Sequence, residues 1–197
     1  MKKVYLYKGF ERLWHWIQAI SIVMLLLTGF EVHGSLKIFG FADAVLIHNT
    51  FAYILIGITI LSIFWHITSG AWRQYIPTSF KGILDMIKFY TSGIFKGEPH
   101  PEKKDEKNKL NQLQRLTYLG LLLFLLPYQL ITGIVYLYAK QLTGNNFIVS
   151  YKIIGVAHTF GAFLFLAFLV VHLYMITTGH TVFSSLMGMI TGWEEVE

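Results

Sequence analysis

His158 and His172 stand 14 residues apart in the last apolar stretch of the chain, with no other ionisable side chain between them. On an α-helix that spacing completes almost four turns and climbs roughly 21 Å. Both imidazoles therefore face the same way, one towards each side of a hydrocarbon layer about 30 Å thick. A polar group at such depth is costly and marks a partner or a function, and imidazole is a ligand for iron and copper. Imidazoles stacked on one transmembrane face are what two b-type haems, one above the other, require.

The elements that must position these rings follow from composition. Of 197 residues, 54% are apolar and 14% charged, against about a quarter charged in soluble domains, so the chain reads as an integral membrane protein. The absence of cysteine excludes disulfides, thiolate-held iron–sulfur clusters and covalent haem attachment through C-x-x-C-H. The net charge of +5 needs no nucleic acid, because the basic residues collect in particular connections. Four stretches are long enough to span: Leu13 to Phe30, Val45 to Ser69, Leu116 to Tyr138 and Ile153 to Thr177, none containing Asp, Glu, Lys or Arg. Lys2, Lys3 and Lys8 before the first could suggest a signal peptide. His15 and Gln18 interrupt its apolar core, and it lacks a small-residue cleavage site, so it reads as a retained span.

Ser79 to Phe95, between spans two and three, places Phe80, Ile83, Leu84, Ile87 and Ile94 near helical spacing and predicts an interfacial amphipathic helix. Glu98 to Lys109 reads as a solvated mixed-charge loop. Pro127 should bend span three, since proline removes a backbone hydrogen bond and crowds the preceding turn. Thr28-Gly29 and Thr132-Gly133 form a weak internal echo that does not amount to a duplication. The expected fold is an all-α membrane protein: a four-transmembrane-helix bundle with one interfacial helix, residues 1–197 forming a single domain.

Thirteen of the sixteen Lys and Arg residues lie before span one or between spans two and three. Lys37, Lys140 and Lys152 remain for the other side. The positive-inside rule then puts both termini and the long connection in the cytoplasm. Depth pairs the histidines: His48 with His158 towards the outer side, His15 with His172 towards the inner. Two histidines per haem fill both axial positions, which suits electron transfer. Gly57, Gly155 and Gly161 would let a flat macrocycle approach the backbone. His66 competes with His15, being 18 residues, or five turns, beyond His48; Trp65, Trp72 and Arg73 around it mark a membrane interface instead. His33, His100 and His180 fall in loops or at boundaries and read as solvated. Trp14, Trp16, Trp72 and Tyr138 read as an aromatic belt.

Glu-Arg-Leu-Trp-His-Trp at 11–16 and Leu-Thr-Gly-Phe at 27–30 resemble the opening of the bacterial di-haem cytochrome b family. Its members include the membrane subunits of formate dehydrogenase, nickel–iron hydrogenase and thiosulfate reductase. His158-x13-His172, continuing as Leu-Tyr-Met at 173–175 and Met-Ile-Thr-Gly at 189–192, is similar to the formate dehydrogenase gamma subunit, and His48 at the start of span two fits as well. The resemblance implies that His15, His48, His158 and His172 ligate two haems b, and that menaquinone or ubiquinone reacts beside the inner haem. Asn111, Gln114 and Arg115 supply hydrogen-bond donors for quinone carbonyls. The family's Asn-x-x-Gln-basic stretch carries Asn111 and Gln114 over to the quinone pocket, although the family's intervening glycine is absent. Capping of span three by the same residues is the competing reading.

The expected function is transfer of electrons across the bacterial cytoplasmic membrane between quinone and an outer-face partner, a periplasmic redox subunit or a multihaem or iron–sulfur protein. A self-contained b561-type superoxide:quinone oxidoreductase is the alternative within haem chemistry. A histidine-lined metal or proton transporter is the alternative outside it, disfavoured by the absence of Asp and Glu within the spans.

Overall fold

A computed structural model describes residues 2–102, 108–138, 147–179 and 181–196. Lys103, Lys104, Lys107, Lys140, Asn145, Asn146 and His180 lie outside the described residues. The elements in chain order are β1 (Lys2–Tyr5), α1 (Gly9–Val32), α2 (Phe41–Ser69), α3 (Phe80–Lys88), α4 (Gln112–Gly120), α5 (Leu126–Leu137), α6 (Phe147–Ile176), α7 (Ser184–Thr191) and β2 (Trp193–Val196). Among the described residues, four helical stretches are long and apolar enough to cross a membrane: Gly9–Val32, Phe41–Ser69, Gln112–Leu137 and Tyr151–Ile176. The first three begin several residues before the apolar runs because their opening turns carry polar residues. Glu11 accepts from the Lys8 N–H at 2.8 Å, Asp43 occupies the first turn of α2, and both complement the positive helix start. The protein is an all-α membrane protein apart from one short sheet.

The chain divides into two compact units. One comprises Leu13–Ile63 and Leu123–Leu173 and is a four-helix bundle cut from α1, α2, α5 and α6. Its outward side chains, among them Ile60, Phe124, Ile131, Val156 and Val170, are large, apolar and exposed, as a lipid solvent demands. Inside it, Ser21 and Thr28 are fully buried and donate to carbonyls one turn back, at Ile17 and Met24. A left-handed Gly34, φ 77°, ends α1 with the Ser35 N–H returning to the Phe30 carbonyl at 2.9 Å. Glu31 then accepts from the N–H groups of Ile38, Phe39 and Gly40 at 2.8–3.0 Å and ties the α1–α2 connection down.

Pro127 is expected to bend span three, and the helix departs from α geometry just before it. Residues Leu121–Leu125 widen into a π-helical turn before α5 opens with the proline at its start. The wider turn relieves the clash and the missing donor at that point.

The other unit comprises Met1–Arg12, Phe64–Leu122 and Tyr174–Glu197. In it β1 pairs antiparallel with β2, Lys2 opposite Val196 and Tyr5 opposite Trp193. Val4 and Leu6 are buried beneath this ribbon, and the Tyr7 hydroxyl donates to Glu194. The sequence reading missed this sheet; four-residue strands carry too little periodicity to register. Because β1 precedes the first span and β2 follows the last, their pairing requires an even number of membrane crossings.

The amphipathic helix is α3, capped by Ser79, whose side chain accepts from the Gly82 N–H. Its faces differ from the expected ones. Ile83, Met86 and Phe89 are buried, whereas Phe80, Leu84 and Ile87 are exposed. The residues expected to anchor the helix thus divide between a protein-facing side and an apolar outer side suited to lipid. The mixed-charge connection is also more structured than expected: Lys109 pairs with Glu11 at 2.9 Å, and Glu102 accepts from the Gln112 N–H at 3.0 Å.

Candidate functional site

Within the four-helix unit the histidines of α1, α2 and α6 come together in the two expected pairs. His48 and His158 have ring centres 6.2 Å apart, and His15 and His172 have ring centres 6.3 Å apart. A metal–imidazole bond is about 2 Å and the ring nitrogen lies about 1.1 Å from the ring centre, so imidazoles on opposite sides of one metal atom have centres about 6.2 Å apart. Both pairs have the spacing that two imidazoles would need to hold one metal atom between them. A direct N–H···N hydrogen bond would put the ring centres about 5 Å apart, and van der Waals stacking would bring them closer still.

The ring orientations are fixed by neighbours the sequence reading did not assign. Thr28 on α1 donates its hydroxyl proton to the Met24 carbonyl at 2.7 Å, and the same oxygen lies 3.0 Å from His48 Nδ1. With the hydroxyl proton committed to its own helix, Nδ1–H must be the donor, which leaves the Nε2 lone pair for a metal. Thr132 on α5 repeats this: it donates to Tyr128 O at 2.8 Å and meets His158 Nδ1 at 3.1 Å. The Gln129 side-chain amide lies 3.3 Å from His158 Nε2 and would have to turn away for that nitrogen to hold a metal. Tyr136 lies parallel to the His158 ring with centres 6.4 Å apart. At the other pair, Phe168 stacks on His172 one helical turn away, 5.6 Å between centres, and Trp16 meets His15 edge-on at 5.3 Å. His15 Nδ1 is buried without a hydrogen-bond partner.

Several expectations are corrected. Gly155 and Gly161 lie against protein: a Cβ would meet Tyr136 at 3.1 Å in the first case and overlap the Gln129 amide in the second. Gly57 faces open space. Close approach to a ring instead occurs at Gly29 and Gly133, where a Cβ would stand 3.3 Å from His48 Cε1 and 3.0 Å from His158 Cε1. His33 is exposed, as expected, and its Nε2 also meets Thr159 Oγ1 at 2.6 Å. His66, the competitor for the His15 position, is buried in the other unit and hydrogen-bonded through Nε2 to the Tyr75 hydroxyl at 3.0 Å.

The three donors expected at a quinone lie together at the start of α4. Asn111 and Gln114 form a complete capping box: Asn111 Oδ1 accepts from the Gln114 N–H at 2.8 Å, and Gln114 Oε1 accepts from the Asn111 N–H at 3.0 Å. Asn111 Nδ2 also donates to the Tyr90 hydroxyl at 3.0 Å. Burial raises the Tyr90 hydroxyl above its ordinary pKa, and the Asn111 bond acts in the opposite direction. Arg115 is buried and satisfied by Leu110 O, Ile76 O and Asn108 Oδ1. Its guanidinium holds local backbone together, a role the sequence reading did not give it.

A four-span helical bundle with imidazoles facing one another across its interior defines a multi-pass membrane cytochrome. Residues 6–192 match the family described as prokaryotic cytochrome b561. A chain of Escherichia coli (strain K12) named "Putative cytochrome YdhU" is 31% identical over 201 residues, covering 98% of this chain and 75% of that one. The chain belongs to the prokaryotic cytochrome b561 family, and is accordingly a haem b electron-transfer cytochrome of the bacterial inner membrane. This removes the metal or proton transporter reading.

Proposed function

We propose that residues 1–197 act as one cytochrome domain in which His48 with His158, and His15 with His172, each hold one haem b. Electrons then pass between quinone at the cytoplasmic side and a redox partner at the outer side. The observation that carries this reading is the pair of ring separations, 6.2 and 6.3 Å, each of which suits a single iron atom between the imidazoles. When bound, each haem supplies a one-electron iron centre. This chain's residues orient the four imidazoles, and two imidazoles on each iron would leave no open position there for substrate.

The quinone reading rests on Asn111 and Gln114 at the start of α4 and on Tyr90 beyond the end of α3, with Arg115 holding the local backbone. Oxidation of a quinol to quinone releases two electrons and two protons. Asn111 Nδ2 keeps one hydrogen beyond that given to Tyr90, and the capping box leaves the Gln114 amide NH2 for a quinone carbonyl. Orientation is supported by the basic residues flanking the spans and by the same-side pairing of β1 and β2.

Pyridine haemochrome analysis of protein produced with haem supplied should give two haems b per chain, and His158→Ala should leave one. A ratio of one in the unaltered protein would overturn the pairing. Rapid haem reduction by superoxide with no partner present would replace the outer redox protein with a small-molecule donor.

A further inference from the structure

We propose that Thr28-Gly29 and Thr132-Gly133 are one histidine-positioning device used twice, setting tautomer and ring placement at the outer haem and through them its potential and affinity. The inference rests on the reading of His48 and His158 as the outer ligands. Each dipeptide sits on the helix preceding the one that bears its histidine: α1 before α2, α5 before α6. In both, the threonine spends its proton on a carbonyl four residues back and presents oxygen to Nδ1 at 3.0 or 3.1 Å. In both, the following glycine leaves the ring edge where a methyl group would stand, 3.3 or 3.0 Å from Cε1. Donation from Nδ1–H makes a ligating imidazole more basic, and loss of such a partner typically weakens metal affinity roughly 10- to 100-fold. A more basic ligand favours ferric over ferrous iron, so the outer potential is held low by two hydroxyl acceptors. The inner pair differs, because His15 Nδ1 has no such acceptor. The repeated device therefore makes the two haem sites unequal.

The test uses the full chain in lipid nanodiscs, with a spectroelectrochemical titration that resolves both haems and a haem-transfer assay to an apoglobin acceptor. Thr28→Val and Thr132→Val should each raise one of the two midpoint potentials, leave the other in place, and speed haem loss from that site by roughly 10- to 100-fold. Thr28→Ser and Thr132→Ser should restore both values. Thr28→Ala and Thr132→Ala remove the same oxygen without adding bulk, and report if the valine variants fail to assemble. His48→Ala identifies which potential belongs to the outer site. If His48→Ala leaves two haems, the ligand assignment is wrong. If it removes one haem while the valine and alanine variants leave both potentials and haem transfer unchanged, or shift both sites equally, the positioning inference alone is overturned.

Discussion

Replacing Asn111 separates its helix cap from its proposed contact with quinone. Asn111→Ala removes the acceptor for the Gln114 N–H and the donor to Tyr90. Loss of a helix cap costs about 1 kcal/mol and the second bond about 1 kcal/mol more, so the variant should lose about 2 kcal/mol of stability whether or not quinone binds there. Asn111→Asp keeps an oxygen acceptor at the positive end of α4 but has no N–H to offer. If the Asn111 amide holds a quinone carbonyl, losing that donor costs about 1.4 kcal/mol, or about tenfold in rate. Stopped-flow haem reduction by a quinol analogue, alongside thermal unfolding, reads both quantities. The expected outcome is an aspartate variant that keeps the cap, loses about 1 kcal/mol with the Tyr90 bond, and reduces haem about tenfold more slowly, with both haem spectra unaltered. An aspartate variant with normal quinol kinetics would refute the binding role and leave Asn111 as a cap alone.

His66→Phe should leave two haems bound and cost stability through loss of the Tyr75 hydrogen bond; loss of the inner haem spectrum would transfer the ligand role from His15. Gly133→Ala should disturb one haem spectrum more than Gly29→Ala does, because its methyl would stand 3.0 Å from the ring rather than 3.3 Å; equal spectra in both would show that the rings have room to move. Tyr7, Tyr75 and Tyr90 all have hydroxyl pKa values raised by burial. Their stabilisation is complete below the unfolded value near 10 and is lost as pH rises towards the higher folded values. Melting temperature should therefore fall above about pH 10, less steeply in Tyr90→Phe.

The histidine pairs were legible because an imidazole in an apolar run stands out, and because helical rise converts sequence spacing into depth. The spans were legible for the same reason, except at their starts, where capping residues extend each helix into polar sequence. The Thr-Gly echo was visible as a pattern, yet its meaning depends on which helix lies beside which histidine. Gly155 and Gly161 show the converse: proximity along the chain to a ligand suggested room for a macrocycle, and tertiary packing fills it with Tyr136 and Gln129. Asn-x-x-Gln is both a capping box and a pair of amide donors, so composition could not rank its two roles. The β1–β2 pairing joins residues about 190 apart, beyond the reach of any local periodicity.

That pairing also orders assembly in time. β1 emerges before any span has entered the membrane, and its partner β2 is made only after all four have been translated. The ribbon cannot close around Val4 and Leu6 until the last span is threaded, so its closure acts as a latch that registers completed insertion. A chain stalled after three crossings would have no β2 to pair with β1, so the closed ribbon belongs to the fully threaded chain alone.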